Sequence, residues 1–123
     1  MDIKIKRVYE KPEADDGYRV LVDKLWPRGI RKADLPYDYW AKELTPSTAA
    51  RKAFGRKAEN FDAFKERYLD ELNTSDEARA CAQQLEENAM HAGDNTITLL
   101  YAARDPKINH AVILKGWLEE QIK

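Results

Sequence analysis

The sequence has very few of the residues that build metal centres and disulfides. It contains one cysteine, Cys81, and two histidines, His91 and His110, which lie far apart in the chain. A single cysteine cannot form an internal disulfide, and this is typical of proteins from a reducing compartment. Two distant histidines do not match the ligand spacing of a zinc site. We therefore predict no metal site, and the sequence leaves any cofactor unknown.

Long apolar runs are also missing. The longest, near Thr98 to Ala103, is far too short to cross a bilayer. The first residues, MDIKIKR, lack the apolar stretch of a signal peptide. We therefore expect a cytoplasmic protein with no membrane partner.

The charges of the 21 basic and 22 acidic residues nearly cancel. This argues against binding nucleic acid through bulk charge and leaves only a local basic patch open.

The residues that are present indicate a globular α/β protein. A length of 123 residues predicts one domain, residues 1–123. Strands are predicted at 3–9, where apolar and polar residues alternate, and at Tyr18 to Leu25 and Thr96 to Ala102, whose centres are apolar on both faces. The segment 37–41 fits either a short strand or a helical turn.

Helical patterns fill most of the chain between the second and the last of these strands. Ser47, Asn60 and Asn109 stand where helix caps are expected, Gly55 where a helix ends, and Thr74 to Glu77 resembles a capping box. Helices between apolar strands imply crossover connections. The predicted fold is α/β, a mostly parallel central sheet flanked by helices in a single three-layer domain.

Ligands of open α/β sheets bind beyond the carboxyl ends of the strands. This rule selects Arg7 after the first strand, 23–31 after the second, and 101–110 after the last. If the strands are parallel, these segments meet at one edge. Guanidinium groups beside a helix start favour a phosphate or carboxylate ligand. The candidate ligand-binding residues are Arg7, Trp26, Arg28, Tyr101, Asn109 and His110, and the candidate acid/base carboxylates are Asp23 and Asp105.

Structural interpretations of the same residues remain open. Asp23 and Arg28 or Arg31 fit an ion pair that locks a turn, and the Trp-Pro-Arg-Gly sequence at 26–29 fits a tight turn with a positive φ at glycine. Trp26 fits a packed side chain as well as a stacking platform for a flat ring. Asn109 fits a plain helix cap, and His110 a surface histidine at a helix start.

Four blocks of sequence resemble the YeaO-like family, a bacterial domain of unknown function called DUF488. They are VLVDKLWPRG at 20–29, KELTPS at 42–47, FDAFKERYLDEL at 61–72 and TLLYAARDPKINHAVIL at 98–114. The resemblance implies a small α/β protein whose biochemical activity is not established. The chain departs from the family pattern at Lys24, where arginine is usual, and at Arg56 and Lys57, where relatives often have His-Asp. A general base built on that histidine is therefore not available here.

The leading functional hypothesis is an arginine-rich pocket for a small anionic ligand, such as a nucleotide or a phosphorylated metabolite. Arg7 and Arg28 would hold the anion, and Asp23 or Asp105 would act as acid or base if the protein is a hydrolase or transferase. Two alternatives stay open. One is a nucleic-acid-associated accessory protein that contacts phosphates through Arg28, Arg31, Arg51 and Arg56. The other is a structural or interaction module without catalysis.

Overall fold

A computed structural model describes residues 1–122 of the chain, in which four strands and four α-helices are defined. The strands are β1 (Asp2–Arg7), β2 (Tyr18–Leu21), β3 (Tyr39–Trp40) and β4 (Thr96–Tyr101). The helices are α1 (Thr48–Phe54), α2 (Phe61–Thr74), α3 (Asp76–His91) and α4 (His110–Gln121). No helix within these residues has the length and apolar character needed to cross a membrane.

The strands form one sheet in the order β1-β4-β2-β3, and every neighbouring pair is parallel. β4 is the last strand in sequence yet lies inside the sheet, between β1 and β2. Its run from Ile97 to Tyr101 is buried throughout, because neighbours on both sides and residues on both faces cover it. The prediction of an α/β fold with a parallel central sheet is confirmed.

Side-chain alternation along the strands builds a core on each face of the sheet. Val20 and Leu99 belong to the larger core, together with the buried residues of all four helices. Leu21 and Leu100 point to the opposite face and pack with Leu35, against which Trp26 also lies. Successive side chains of a strand point to opposite faces, so both members of each adjacent pair can be buried. Helices cover one face of the sheet, and the segment 26–40 closes the smaller core.

The second strand is shorter than the sequence predicts. The predicted strand runs to Leu25, whereas β2 ends at Leu21, and the Val22 amide still donates to Leu100 O at 3.0 Å. Beyond that point the side chain of Asp23, rather than Val22 O, accepts the Ala102 amide hydrogen at 3.0 Å. The ladder therefore stops because a carboxylate takes the place of the next backbone acceptor.

Helix starts follow the predicted caps at two of four places. Ser47 Oγ accepts from the Ala50 amide, and Asn109 Oδ1 accepts from the Val112 amide. The predicted capping box at Thr74 is wrong, because Ser75 is the cap of α3 and accepts from the Ala78 amide. Asn60 stands at the cap position of α2 but makes no capping bond. Its amide nitrogen instead donates to Phe54 O at 3.2 Å, which ties the end of α1 to the start of α2.

Candidate functional site

The carboxyl ends of the parallel strands meet at one side of the sheet, which we call the carboxyl edge. It comprises the residues that follow the strands together with the start of α4. Arg7, Asp23 and Tyr101 lie there, as does His110, the first residue of α4. The parallel topology thus brings together segments that are separated by up to a hundred residues in sequence, as the sequence rule predicts.

Asp23 is the carboxylate at the centre of this edge. Its Oδ2 accepts the Ala102 amide, and its own carbonyl oxygen accepts the Trp40 indole N–H at 2.7 Å. Its side chain is 17% exposed, and Oδ1 is buried without a well-aligned hydrogen bond. Neither Arg28 nor Arg31 forms an ion pair with it among residues 1–122. The predicted turn-locking pair is therefore wrong, and Asp23 instead joins the ends of β2, β3 and β4.

His110 is the side chain that Asp23 faces across the carboxyl edge. Its Nε2 lies 3.2 Å from Asp23 Oδ1 and 2.9 Å from Val22 O. A carbonyl oxygen and a carboxylate can only accept hydrogen bonds, so this arrangement requires a hydrogen on Nε2. The ring is 18% exposed, which leaves the pair accessible to solvent on one side. The chain positions this ring directly after Asn109, whose capping bond fixes the start of α4.

Arg7 closes the other side of the same edge. Its Nε donates to Ala103 O at 2.9 Å and its Nη2 donates to Ala102 O at 3.1 Å. The guanidinium also lies over the Tyr9 ring, 4.8 Å from the centroid. The peptide of Ala102 therefore links the two halves of the edge, because its N–H donates to Asp23 and its carbonyl accepts from Arg7. The carbonyl oxygens, rather than a buried carboxylate, satisfy this guanidinium.

Tyr101 and Asn109 form the buried floor beside Arg7. Burial is the main cause that raises the pKa of Tyr101, the carboxylate of Glu10 adds to it, and the positive charge of Arg7 opposes it. Asn109 is 1% exposed, and its amide nitrogen donates to Asp105 O at 2.7 Å. A buried Tyr101 ring, 2% exposed, cannot stack on a ligand without rearrangement.

Asp105 lies on the exposed loop before α4. Its Oδ1 accepts the Lys107 amide at 2.8 Å and the Ile108 amide at 3.0 Å. These two hydrogen bonds are the main causes that lower the pKa of Asp105. The pKa of Asp105 is therefore shifted away from neutrality, which does not suit the acid/base role predicted for it.

Trp26 and Arg28 belong to the predicted tight turn, in which Gly29 adopts the expected positive φ of 78°. The Trp26 indole N–H donates to Ile30 O at 2.6 Å, and its ring meets the edges of Tyr37 and Trp40. Trp26 is thus a packed side chain of the smaller core. Arg28 is exposed, and in the described chain only its carbonyl is bonded, to the Tyr9 hydroxyl at 2.9 Å.

The sequence analysis gave Lys24 no ligand-binding role and named Arg51 only for the nucleic-acid alternative, whereas the structure brings these two cations to one hydroxyl group. Lys24 Nζ donates to Thr48 Oγ1 at 2.9 Å, and Arg51 Nη2 donates to the same oxygen at 3.4 Å. Lys24 directly follows Asp23, so this contact brings the first turn of α1 to the carboxyl edge. Spacing i to i+3 relates Thr48 to Arg51 on one helix face, but no sequence signal connects either residue to Lys24.

One group of acidic side chains in residues 1–122 is compact enough to hold a metal ion. Glu13, Asp15 and Asp16 have carboxylate oxygens within 4.8 Å of one another. The Lys6 ammonium already lies among them, 3.0 Å from Glu13 Oε1 and 2.7 Å from Asp16 Oδ1. This cluster is therefore an ion-pair network that ties β1 to the following loop, and it lies apart from Asp23.

Comparison with known proteins agrees with the blocks of resemblance in the sequence. A family model described as the inactive DUF488-N3 subclade matches residues 2–123. The uncharacterized protein YeaO of Escherichia coli K12 is 47% identical over 118 residues, which cover 96% of this chain and 97% of that protein. The uncharacterized proteins Mb3100c of Mycobacterium bovis and Rv3073c of Mycobacterium tuberculosis are each 38% identical over 112 residues, covering 91% of this chain and 89% of theirs. No solved structure gives a significant match. The chain belongs to the DUF488 family.

Proposed function

We propose that this protein is a non-catalytic module that binds a small anionic ligand, phosphate- or nucleotide-like, at the carboxyl edge of its sheet. The observation that carries the proposal is the presence there of cationic side chains without carboxylate partners. Lys24, Arg28 and Arg104 are exposed, and within the described chain none of them has a carboxylate oxygen within 4 Å. Exposed cations without nearby counter-charges attract anions.

Binding without turnover is favoured over catalysis by the state of the two candidate carboxylates. Asp23 accepts a backbone amide and faces His110, and Asp105 accepts two backbone amides that lower its pKa. Both carboxylates are thus engaged in holding the backbone. The description of the matching subclade as inactive supports the same choice. A hydrolase or transferase that uses Asp23 as its base is the alternative, and the exposed side of the Asp23–His110 pair favours it.

A thermal-shift screen tests the proposal. The purified protein is heated with inorganic phosphate, nucleotides and sugar phosphates, and each is compared with sodium chloride at equal ionic strength. A ligand at 100 times its dissociation constant adds about 2.7 kcal/mol, worth several degrees of melting temperature in a domain of this size. The Arg28→Ala variant should lose part of this shift.

Lys65→Ala supplies the matched control, because Lys65 is an exposed cation on α2. It removes one positive charge as Arg28→Ala does, and it should keep the full shift. If no anion shifts the wild-type melting temperature beyond the chloride control, the binding proposal is wrong. Release of product from a phosphate ester during the incubation would replace it with the hydrolase alternative.

A further inference from the structure

Two cations converge on one hydroxyl group at the start of α1. Lys24 Nζ lies 2.9 Å and Arg51 Nη2 lies 3.4 Å from Thr48 Oγ1. We call these three residues the Thr48 cluster. Positive groups that share one neutral acceptor repel each other, and an anion bound beside them would relieve this repulsion.

Protein carboxylates do not supply this compensation. Within residues 1–122, neither Lys24 nor Arg51 has a carboxylate oxygen within 4 Å. Arg51 Nε is moreover buried without any acceptor. A buried N–H group without an acceptor costs free energy and calls for an unseen partner.

The hydroxyl of Thr48 adds a third donor to the cluster. A threonine hydroxyl has two acceptor lone pairs and one hydrogen. Lys24 and Arg51 both donate to Thr48 Oγ1, so its two lone pairs are engaged and its hydrogen remains to be donated. An ammonium, a guanidinium and a hydroxyl hydrogen therefore surround one region. Such a set of donors matches the several oxygens of a tetrahedral oxyanion, and the planar guanidinium can bind two of them at once.

From this geometry we infer that Lys24, Thr48 and Arg51 form the subsite that holds the phosphoryl group of the anionic ligand. The inference rests on the proposed function and refines it, because Lys24 follows Asp23 and brings the Thr48 cluster to the carboxyl edge. Free phosphate and the phosphoryl group of a larger ligand share this chemistry. The rest of a larger ligand would extend from the Thr48 cluster along the edge towards Asp23 and His110.

Isothermal titration with inorganic phosphate and with a simple phosphate monoester tests the inference. We expect Lys24→Ala and Arg51→Ala each to weaken phosphate binding about tenfold or more, since each removes a charge-assisted hydrogen bond. Thr48→Val should weaken it less, because it removes one neutral donor. Tighter binding of the monoester than of phosphate would identify a larger ligand, and equal binding would identify free phosphate as sufficient.

Lys52→Ala is the matched control, because Lys52 is an exposed cation next to Arg51 on the same short helix. It should bind phosphate within about twofold of wild type, as expected when only distant screened charge is lost. Arg51→Lys keeps the charge without the guanidinium fork, and should retain part of the affinity even if Arg51→Ala folds poorly.

The outcomes separate this inference from the proposed function. Wild-type phosphate affinity in both Lys24→Ala and Arg51→Ala, combined with weaker binding in Arg28→Ala, would overturn the subsite and leave the binding function standing. Equal weakening in Lys52→Ala would show nonspecific attraction and would also overturn the subsite. Absence of any saturable anion binding in the wild type would remove both.

Discussion

Single residues of the same type have different roles at the carboxyl edge. Arg7 lies at the end of the first predicted strand and Arg28 follows the second. Both were predicted to hold the same anion. In the structure Arg7 donates to the carbonyl oxygens of Ala102 and Ala103, whereas the Arg28 side chain is exposed. The partners of Arg7 lie almost a hundred residues away, so its role depends on the fold and not on its local sequence.

This difference predicts unequal stability effects. Arg7→Ala should lower the free energy of unfolding by about 1–2 kcal/mol, because two carbonyl oxygens lose their charged donor. Arg28→Ala should change it by no more than about 0.5 kcal/mol, as is usual for exposed side chains. Urea denaturation of the two variants measures both values. A larger loss in Arg28→Ala than in Arg7→Ala would mean that the structural role belongs to Arg28.

Cys81 offers a second test at the residue scale. It is 5% exposed on α3, and burial is the main cause that raises the pKa of its thiol to about 12. The thiolate is the reactive form, so native protein at pH 8 should react with iodoacetamide far more slowly than protein unfolded in urea. Mass spectrometry after timed labelling measures the ratio. Rapid labelling of the native protein would contradict the buried position.

At the scale of single elements, the predicted helix caps are confirmed where only one residue is a candidate for the cap. Ser47 and Asn109 each occupy the predicted cap position, since a serine or asparagine side chain satisfies a nearby amide regardless of tertiary contacts. Adjacent candidates are harder to separate. Thr74 and Ser75 are both good caps, and in the structure Thr74 Oγ1 donates to Asp70 O as the last residue of α2.

The cap of α3 can be checked by paired substitutions. Ser75→Ala should lower the free energy of unfolding by about 1 kcal/mol, because the Ala78 amide loses its acceptor. Thr74→Ala should cost less, since a threonine hydroxyl bonded back to its own helix adds little stability. Thermal or urea denaturation measures both. A greater loss in Thr74→Ala would restore the capping box that the sequence indicates.

At the scale of the whole molecule, Asp16 joins three strands of the sheet. Its carboxylate accepts from Lys6 on β1 and from Arg19 on β2, and its carbonyl oxygen accepts from Thr98 on β4 at 2.6 Å. Burial acts to raise the pKa of Asp16, but the bonds from Lys6, the Glu13 amide and Arg19 together lower it below the usual 3.8.

Stability should therefore depend on this carboxylate at acid pH. Because its pKa is lower in the folded protein, its contribution is complete above the unfolded value of about 3.8 and is lost as the pH falls through the folded value. Urea denaturation between pH 5 and pH 2.5 should show a steep loss in the wild type. Asp16→Asn should be less stable at pH 5 and show a shallower loss. The exposed Asp15→Asn should follow the wild type.

The sequence predicted the frame of the molecule but not the connections at its site. Apolar strands and capped helices are local patterns, so the parallel sheet and the carboxyl edge followed from them. Pairing of Asp23 with His110, rather than with Arg28 or Arg31, depends on how α4 is placed against β2. The contact between Lys24 and Thr48 likewise crosses two elements. Such contacts follow from tertiary packing, and the spacing of residues along a single sequence does not reveal them.

The central claim is that the carboxyl edge binds an anion, and an amide NMR titration with inorganic phosphate tests it most directly. The account predicts saturable shifts concentrated at Lys24, at 48–51 and at 102–110, with little change at Gly17 and Thr96 beside the amino ends of the strands. Saturable shifts centred on Gly17 and Thr96, or no saturable shift at any amide, would contradict it.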